Sequence, residues 1–193
     1  MSQRELDRKY RVLNQTLSMH SMLKSRYERI SLLLDLVLMA CSLVFVTAAF
    51  ASDDIFEYFG FNAINTRYIL GVAAAIAFLA SLTSLRADWK GKSARHQDAS
   101  KQLSDVLSVF RQSLKEDGTW NDELEIHLHS NYNNGMNNIV EIPTNKFNRL
   151  KSRHLRKVEL SKMLDENPRT PIFILWFILL IQSLISVRVK RKE

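Results

Sequence analysis

Asp35 is the side chain whose position in this sequence points most directly to chemistry. It is the only charged residue in an apolar block, residues 30–51, and lies slightly more than one helical turn inside its start. An ionisable group inside an apolar span is costly and usually faces protein, water or a partner. Asp35 therefore either lines an ion path or pairs with a basic residue of a neighbouring helix, or lies at the membrane boundary, where headgroups and Arg29 solvate it.

The histidines and the single cysteine do not form a recognisable ligand set. His127 and His129 are two positions apart, which aligns them on a strand but separates them on a helix, and no nearby Cys or His completes a metal site. The sequence has no nucleophile–base motif, phosphate-binding glycine loop or carboxylate dyad with supporting context. We therefore expect no catalytic residues, no metal, no cofactor and no enzymatic activity.

Three apolar blocks, residues 30–51, 68–85 and 172–187, define the helices that must position Asp35. About twenty helical residues cross a hydrocarbon core of about 30 Å, and the first two blocks are close to that length. We predict an all-α membrane protein with a two-helix transmembrane hairpin, residues 30–85, joined by a short external connector, residues 52–67. The third block lies in a hydrophobic C-terminal segment with a basic tail, residues 171–193, and is either a short span or a membrane-embedded helix that does not cross.

The remaining chain is polar and has helical periodicity. Residues 1–29 are predicted to form a cytoplasmic amphipathic helix, and residues 86–170 a cytoplasmic helical region. Within that region, residues 86–117 are predicted to continue the second span directly, residues 130–145 to form an Asn-rich loop, and residues 145–165 to form the last helix. The helices over 2–29, 86–117 and 145–165 are expected to pack as a bundle.

The distribution of basic residues predicts the orientation. The chain has 27 Lys and Arg against 20 acidic residues, for a net charge of +7. Seven of the basic residues precede the first span, one lies in the connector and fifteen lie between Arg86 and Arg169. Because Lys and Arg accumulate on the cytoplasmic side, the N-terminus and residues 86–170 are predicted to be cytoplasmic.

The second span is rich in small residues at four-residue spacing, which lets helix backbones approach closely in lipid. These residues either line a pore formed by several copies of the chain or pack against the first span of the same chain. The candidate pore or helix-packing residues are Asp35, Gly71, Ala75, Ala77, Ser81 and Ser84.

Basic residues and histidines on the cytoplasmic helices are candidates for contact with a signal or a partner. They are Arg95, His96, His154 and Lys157. Nucleic acid or a nucleotide signal would suit such a surface, but so would a solvated basic face resting near anionic headgroups. We expect the bilayer to be the anionic partner and do not expect direct binding of nucleic acid.

The order of parts resembles the SLATT superfamily, the two-transmembrane effector domains associated with SMODS nucleotidyltransferases and SLOG sensors. The similarity covers most of the chain and rests on architecture, with two stretches that look like segments of that group. One runs from Arg86-Ala87-Asp88-Trp89 through His96, Ala99 and Leu103; the other from Ile142-Pro143 through His154-Leu155 to Leu160-Ser161-Lys162 and Asp165.

The resemblance implies a bacterial anti-phage effector in the inner membrane. Such a protein is expected to form a homo-oligomer and permeabilise the membrane when a sensor partner, a nucleotidyltransferase signal or a reverse transcriptase system, reports infection. The alternative is a non-conducting, membrane-anchored scaffold or sensor subunit that recruits a cytoplasmic partner.

Overall fold

The computed structural model of the protein describes residues 3–50, 63–115, 119–120, 124–176 and 179. These residues form helices, apart from short connections and an isolated antiparallel bridge between Leu114 and Trp120. The five named helices are α1 (Gln3–Phe50), α2 (Ala63–Ala87), α3 (Trp89–Gln112), α4 (Glu125–Asn137) and α5 (Thr144–Glu166). The all-helical prediction is therefore confirmed for the described residues.

The predicted amphipathic helix and the first apolar block form one uninterrupted helix, α1, of 48 residues. No glycine or proline occurs between Gln3 and Phe50, so nothing in the local sequence ends the helix where its character changes from amphipathic to apolar. At a rise of about 1.5 Å per residue, α1 is about 70 Å long. Residues 63–67, predicted to belong to the connector, are helical; residues 52–62 lie outside the described residues.

Helix continues from the second span through residue 112, as predicted, but it is interrupted at Asp88 and ends before residue 117. Asp88 has a left-handed backbone with φ of 46° and separates α2 from α3. Its Oδ1 accepts a hydrogen bond from the backbone N–H of Gly91 at 3.0 Å, so Asp88 caps α3. A short polar side chain tolerates this conformation better than most residues. The helix then ends at Gln112, five positions before residue 117.

The predicted Asn-rich loop, residues 130–145, is largely a helix. α4 continues through Asn137, which restricts the irregular stretch to residues 138–143. Leu128 is buried, and Tyr132 and Met136 pack against the same core at four-residue spacing. A Cβ on Gly135 would come within 2.8 Å of Val106, so glycine permits this close approach. Packing of one apolar face thus outweighs the weak helix propensity of asparagine.

The last helix is predicted well, because local signals define it. α5 covers Thr144–Glu166, with Pro143 immediately before it and Asn167 as its C-cap. The N–H of Asn167 donates to the carbonyl of Met163 at 3.0 Å, and Pro168 prevents continuation. Residues 172–176 of the third apolar block are helical. Whether residues 172–187 span the membrane depends on positions outside the described residues.

The chain divides into two compact units, a core unit (Met1–His20 with Ser100–Glu193) and a hairpin unit (Ser21–Ala99). In the core unit the buried cluster comes from α1, α3, α4 and the bridge residue Trp120. Its members are Leu6, Leu13, Leu103, Leu107, Phe110, Trp120 and Leu128. The bundle predicted from residues 2–29, 86–117 and 145–165 includes α5, which buries Leu150 and His154 outside this cluster.

Trp120 ties the start of α1 into the core unit. Its indole Nε1–H donates to Asp7 Oδ1 at 2.9 Å, and its backbone N–H donates to Gln3 Oε1 at 2.9 Å. Its ring lies 5.7 Å from Phe110 in an edge-on arrangement and 5.8 Å from Tyr10. Each hydrogen bond contributes about 1 kcal/mol net, and leaving a buried donor unpaired costs more.

Candidate membrane hairpin and its polar cavity

In the hairpin unit, α1 and α2 present matching rows of partly buried residues at alternating spacings of three and four. The row on α1 comprises Ser31, Leu34, Leu38, Cys41, Phe45 and Ala48, and the row on α2 comprises Leu70, Ala73, Ala77, Ala80 and Ser84. This is the heptad spacing of two helices packed along a common seam. Ser31 and Leu38 share a cavity with Ser84, and Phe45 and Ala48 share another with Leu70, as antiparallel packing requires.

Outside this seam the two helices are apolar and exposed. Large apolar residues on the remaining faces of both helices are exposed, among them Leu33, Met39, Leu43 and Phe50 on α1 and Ile69, Ile76, Phe78 and Leu82 on α2. The most apolar 18-residue windows of the two helices are only 6% and 0% buried, respectively. A core helix of a water-soluble protein would bury such residues, whereas a membrane span exposes them to lipid. The protein thus has two helices long and apolar enough to cross a membrane.

The small residues singled out in the sequence divide between two faces. Ala77 and Ser84 are partly buried in the seam, together with Ala73 and Ala80. Gly71, Ala75 and Ser81 are exposed, and a Cβ built on Gly71 would meet nothing within 4 Å. The intramolecular seam therefore uses only part of the small-residue pattern. Of the exposed small residues, Ser81 lines the cavity that also contains Asp35, and Gly71 lines a second cavity with Phe45 and Ala48.

Asp35 forms an ion pair with Lys90, the second residue of α3. The Lys90 Nζ and Asp35 Oδ2 atoms are 2.9 Å apart, and the side chains are 76% and 46% exposed. Asp35 and Lys90 line two cavities. One, of about 290 Å³, is also lined by Ser31, Ser84 and Asp88; the other, of about 230 Å³, contains Ser31 and other polar residues. Of the interpretations open from sequence, the structure shows pairing with a neighbouring helix.

Arg95 and His96 have local structural partners. Arg95 Nη2 lies 3.1 Å from Asp88 Oδ2, so Arg95 holds the carboxylate that caps α3. His96 is buried, and its ring stacks on Tyr27 with centroids 5.6 Å apart and planes inclined by 10°. Trp89 stacks on Tyr27 as well, at 5.8 Å. His96 therefore packs α3 against α1 and is not an exposed contact residue.

His154 and Lys157 lie in the core unit, on α5. His154 is buried, and no donor or acceptor in the described part of the chain reaches its Nδ1 within hydrogen-bond distance. Burial lowers the pKa of His154 below its ordinary value of 6.5, and the positive charge of Lys157 lowers that pKa further. Lys157 itself is exposed and lines a cavity with Arg153 and Arg156. The four predicted contact residues thus occur as two local pairs, one in each unit.

His127 and His129 both lie on α4, where a separation of two positions directs them to different sides of the helix. His129 Nδ1 is in close contact with Lys9 Nζ. Lys9 also lies 3.5 Å from Glu5 and over the ring of Tyr132. Within the residues that the structure describes, no three His, Cys, Asp or Glu side chains form a cluster suited to a metal ion.

Two functional features escaped the sequence analysis. The sequence does not indicate that Lys90 pairs with Asp35, because the direction of α3 depends on the break at Asp88. Tyr27 stacks with both Trp89 and His96, and the amphipathic pattern of residues 1–29 does not indicate these contacts. Comparisons of the chain with protein-family models, curated proteins and solved structures found no match.

Proposed function

We propose that this protein is a membrane effector of bacterial anti-phage defence, as the resemblance to the SLATT superfamily implies. In this proposal the apolar part of α1, from residue 30 onward, and α2 span the bacterial inner membrane, with the N-terminus and residues 86–170 in the cytoplasm. On receiving a cytoplasmic signal, several copies of the chain permeabilise the membrane. The exposed apolar faces of α1 and α2 support insertion, and the excess of Lys and Arg on their flanks supports this orientation.

Permeabilisation requires several copies, because two helices packed along one seam enclose no aqueous path. Gly71 and Ala75 are exposed small residues one turn apart on α2. Such residues allow close helix–helix approach in lipid. This face is therefore the proposed contact between copies, and the seam residues Ala77 and Ser84 hold each hairpin together.

The ion pair between Asp35 and Lys90 is the observation that carries the proposal. It joins a charged residue of an apolar helix to the first turn of α3, and both residues line two cavities that contain further polar side chains. Half-exposed ion pairs contribute only about 0.2–1 kcal/mol. A contact of that strength changes an equilibrium by a factor of about five at most, which suits a contact that opens on a signal.

Release of dye from liposomes containing the purified full chain tests this role. Lys90→Gln and Asp35→Asn each remove one partner and should increase spontaneous release up to about fivefold. The exchanged pair, Asp35→Lys with Lys90→Asp, should bring release back toward the wild-type rate. Lys101→Gln, the same charge change at an exposed position of α3, serves as control and should leave release unchanged.

Membrane depolarisation in bacteria tests the wider proposal. Cells expressing the chain with its native gene neighbours should depolarise on phage challenge and remain polarised without it. Absence of depolarisation under challenge, together with absence of dye release from every variant, would rule out an effector that permeabilises.

The second candidate function is a non-conducting scaffold or sensor subunit that recruits a cytoplasmic partner, such as a nucleotidyltransferase or a reverse transcriptase system. Exposed apolar residues on α5, Phe147, Leu155 and Val158, favour it because they resemble a protein-contact surface. Under this function Leu155→Ser abolishes recruitment of the partner, whereas Asp35→Asn has no effect. If the protein is a permeabilising effector, Asp35→Asn instead increases the release of dye.

A further inference from the structure

The core unit contains a cavity of about 510 Å³ between α5 and the helical residues 172–176. It is larger than the two cavities beside Asp35. Arg153, Arg156 and Lys157 line it from one face of α5, where spacings of three and four positions place side chains side by side. Glu159 contributes one carboxylate, and Trp176 lines the cavity from the apolar segment.

The three basic groups have no counter-ion within the described parts of the chain. No carboxylate there lies within 4.0 Å of Arg153, Arg156 or Lys157. Among the described residues, these groups make one hydrogen bond, from Arg156 Nη2 to Ser152 Oγ at a long 3.5 Å. With Glu159 counted, the cavity has a net formal charge of +2 from three cations and one anion. Like charges placed this close repel one another, and a bound anion would relieve that repulsion.

The chemistry of these groups favours a phosphate. The planar guanidinium groups of Arg153 and Arg156 can each donate two parallel hydrogen bonds to phosphate oxygens. Lys157 adds a compact positive charge with three donors. The same chemistry would accept a phosphate from a phospholipid headgroup or a phosphate in solution.

The residues beside the cavity favour a lipid as the source. Trp176 is 52% exposed, and Ile172 and Phe173 of the same helical turn are still more exposed. Exposed apolar residues beside a tryptophan are typical of the boundary between hydrocarbon and headgroups. Acyl chains would cover Ile172 and Phe173 while the headgroup enters the cavity.

We propose that Arg153, Arg156, Lys157 and Trp176 form a binding site for the phosphate group of an anionic phospholipid. The inference depends on residues 172–176 lying at the membrane surface, and it does not require that the protein permeabilise the membrane. Bound lipid would hold the C-terminal end of α5 against the bilayer. The site would thus select anionic lipid over zwitterionic lipid of the same chain length.

Native mass spectrometry of the detergent-purified full chain tests the site. Phosphatidylglycerol and phosphatidylcholine with identical acyl chains are titrated separately, and the retained lipid is counted. The wild type should retain phosphatidylglycerol preferentially. Arg153→Gln with Arg156→Gln and Lys157→Gln should weaken that retention about tenfold or more, because the variant loses the charge-assisted hydrogen bonds to the phosphate.

A charge-matched triple variant on the same helix provides the control. Arg149, Lys151 and Lys162 are exposed and do not line the cavity, so changing these three to Gln removes the same charge. This variant should retain phosphatidylglycerol like the wild type. Equal losses in the two triple variants would show general attraction to a basic surface and overturn the site. Circular dichroism verifies that both variants keep their helices.

Inorganic pyrophosphate distinguishes the two sources of phosphate. Wild-type protein that binds pyrophosphate, with loss in the cavity variant but no preference for phosphatidylglycerol, would overturn the assignment to lipid and identify a soluble phosphate. Retention of neither ligand would overturn the site altogether. This experiment measures binding, so a negative result here is independent of a negative result in the dye-release assay.

Discussion

Replacing Phe110 by alanine should strongly destabilise the core unit. The side chain is fully buried among leucines of α1, α3 and α4, and it meets the Trp120 ring edge-on at 5.7 Å. Truncation of a buried phenylalanine costs about 3–5 kcal/mol, of which the aromatic pair accounts for about 0.5–1.5 kcal/mol. The matched control is Phe147→Ala on α5. Phe147 is 40% exposed, so its truncation should cost only about 1–2 kcal/mol.

Urea unfolding of the full chain in mild detergent, followed by tryptophan fluorescence, measures both variants. Trp120 is nearly inaccessible to solvent and should report loss of this core by a red shift. With a denaturant dependence of about 2 kcal/mol per molar, the midpoint should fall by about 1.5–2.5 M for Phe110→Ala and by about 0.5–1 M for Phe147→Ala. Equal shifts, or a shift below about 0.5 M for Phe110→Ala, would refute a core built on Phe110.

Three further predictions concern local contacts. Asp88→Val should cost about 1–2 kcal/mol in thermal unfolding, because it removes the cap of α3 and places a β-branched residue at a positive φ; Asp88→Asn should be nearly neutral, and equal effects would contradict the capping role. Lys157→Gln should raise the pKa of His154 in an NMR titration, because it removes a nearby positive charge. Since the pKa of His154 is lowered in the folded protein, wild-type stability should fall as the pH drops below 6.5. His154→Gln should abolish this pH-dependent loss of stability. Gly135→Ala should cost about 1–3 kcal/mol by overpacking, and Val106→Ala in the same chain should recover part of it; no recovery would contradict the close approach of α4 to α3.

The break at Asp88 shows that a helix predicted from the spacing of apolar residues can be interrupted at one residue. The second apolar block and residues 86–117 give one continuous helical pattern in the sequence. Among the described non-glycine residues, Asp88 is the one position with a left-handed backbone. The contacts that stabilise this residue, with Gly91 and Arg95, become apparent only in three dimensions. The periodicity of apolar residues does not indicate a change of backbone conformation at a single position.

The Asn-rich segment shows the same competition between local propensity and packing. Six asparagines and a glycine between residues 130 and 145 predict a loop, and helix propensity alone supports that interpretation. Burial of Leu128 and the contacts of Tyr132 and Met136 supply the free energy that local sequence lacks. Most of the segment is therefore helical.

The sequence by itself determined the helical class, the two apolar segments long enough to cross a membrane and the limits of α5. Each depends on residues close together in the chain: about twenty apolar positions in a row, or a proline beside a helix end. Tertiary structure decided which small residues of α2 face α1, that Asp35 pairs with Lys90, and that His96 is buried against Tyr27. These pairings join positions far apart in the chain. They depend on the direction in which each helix leaves its turn and on the face it buries, and neither is encoded in the spacing of a single segment.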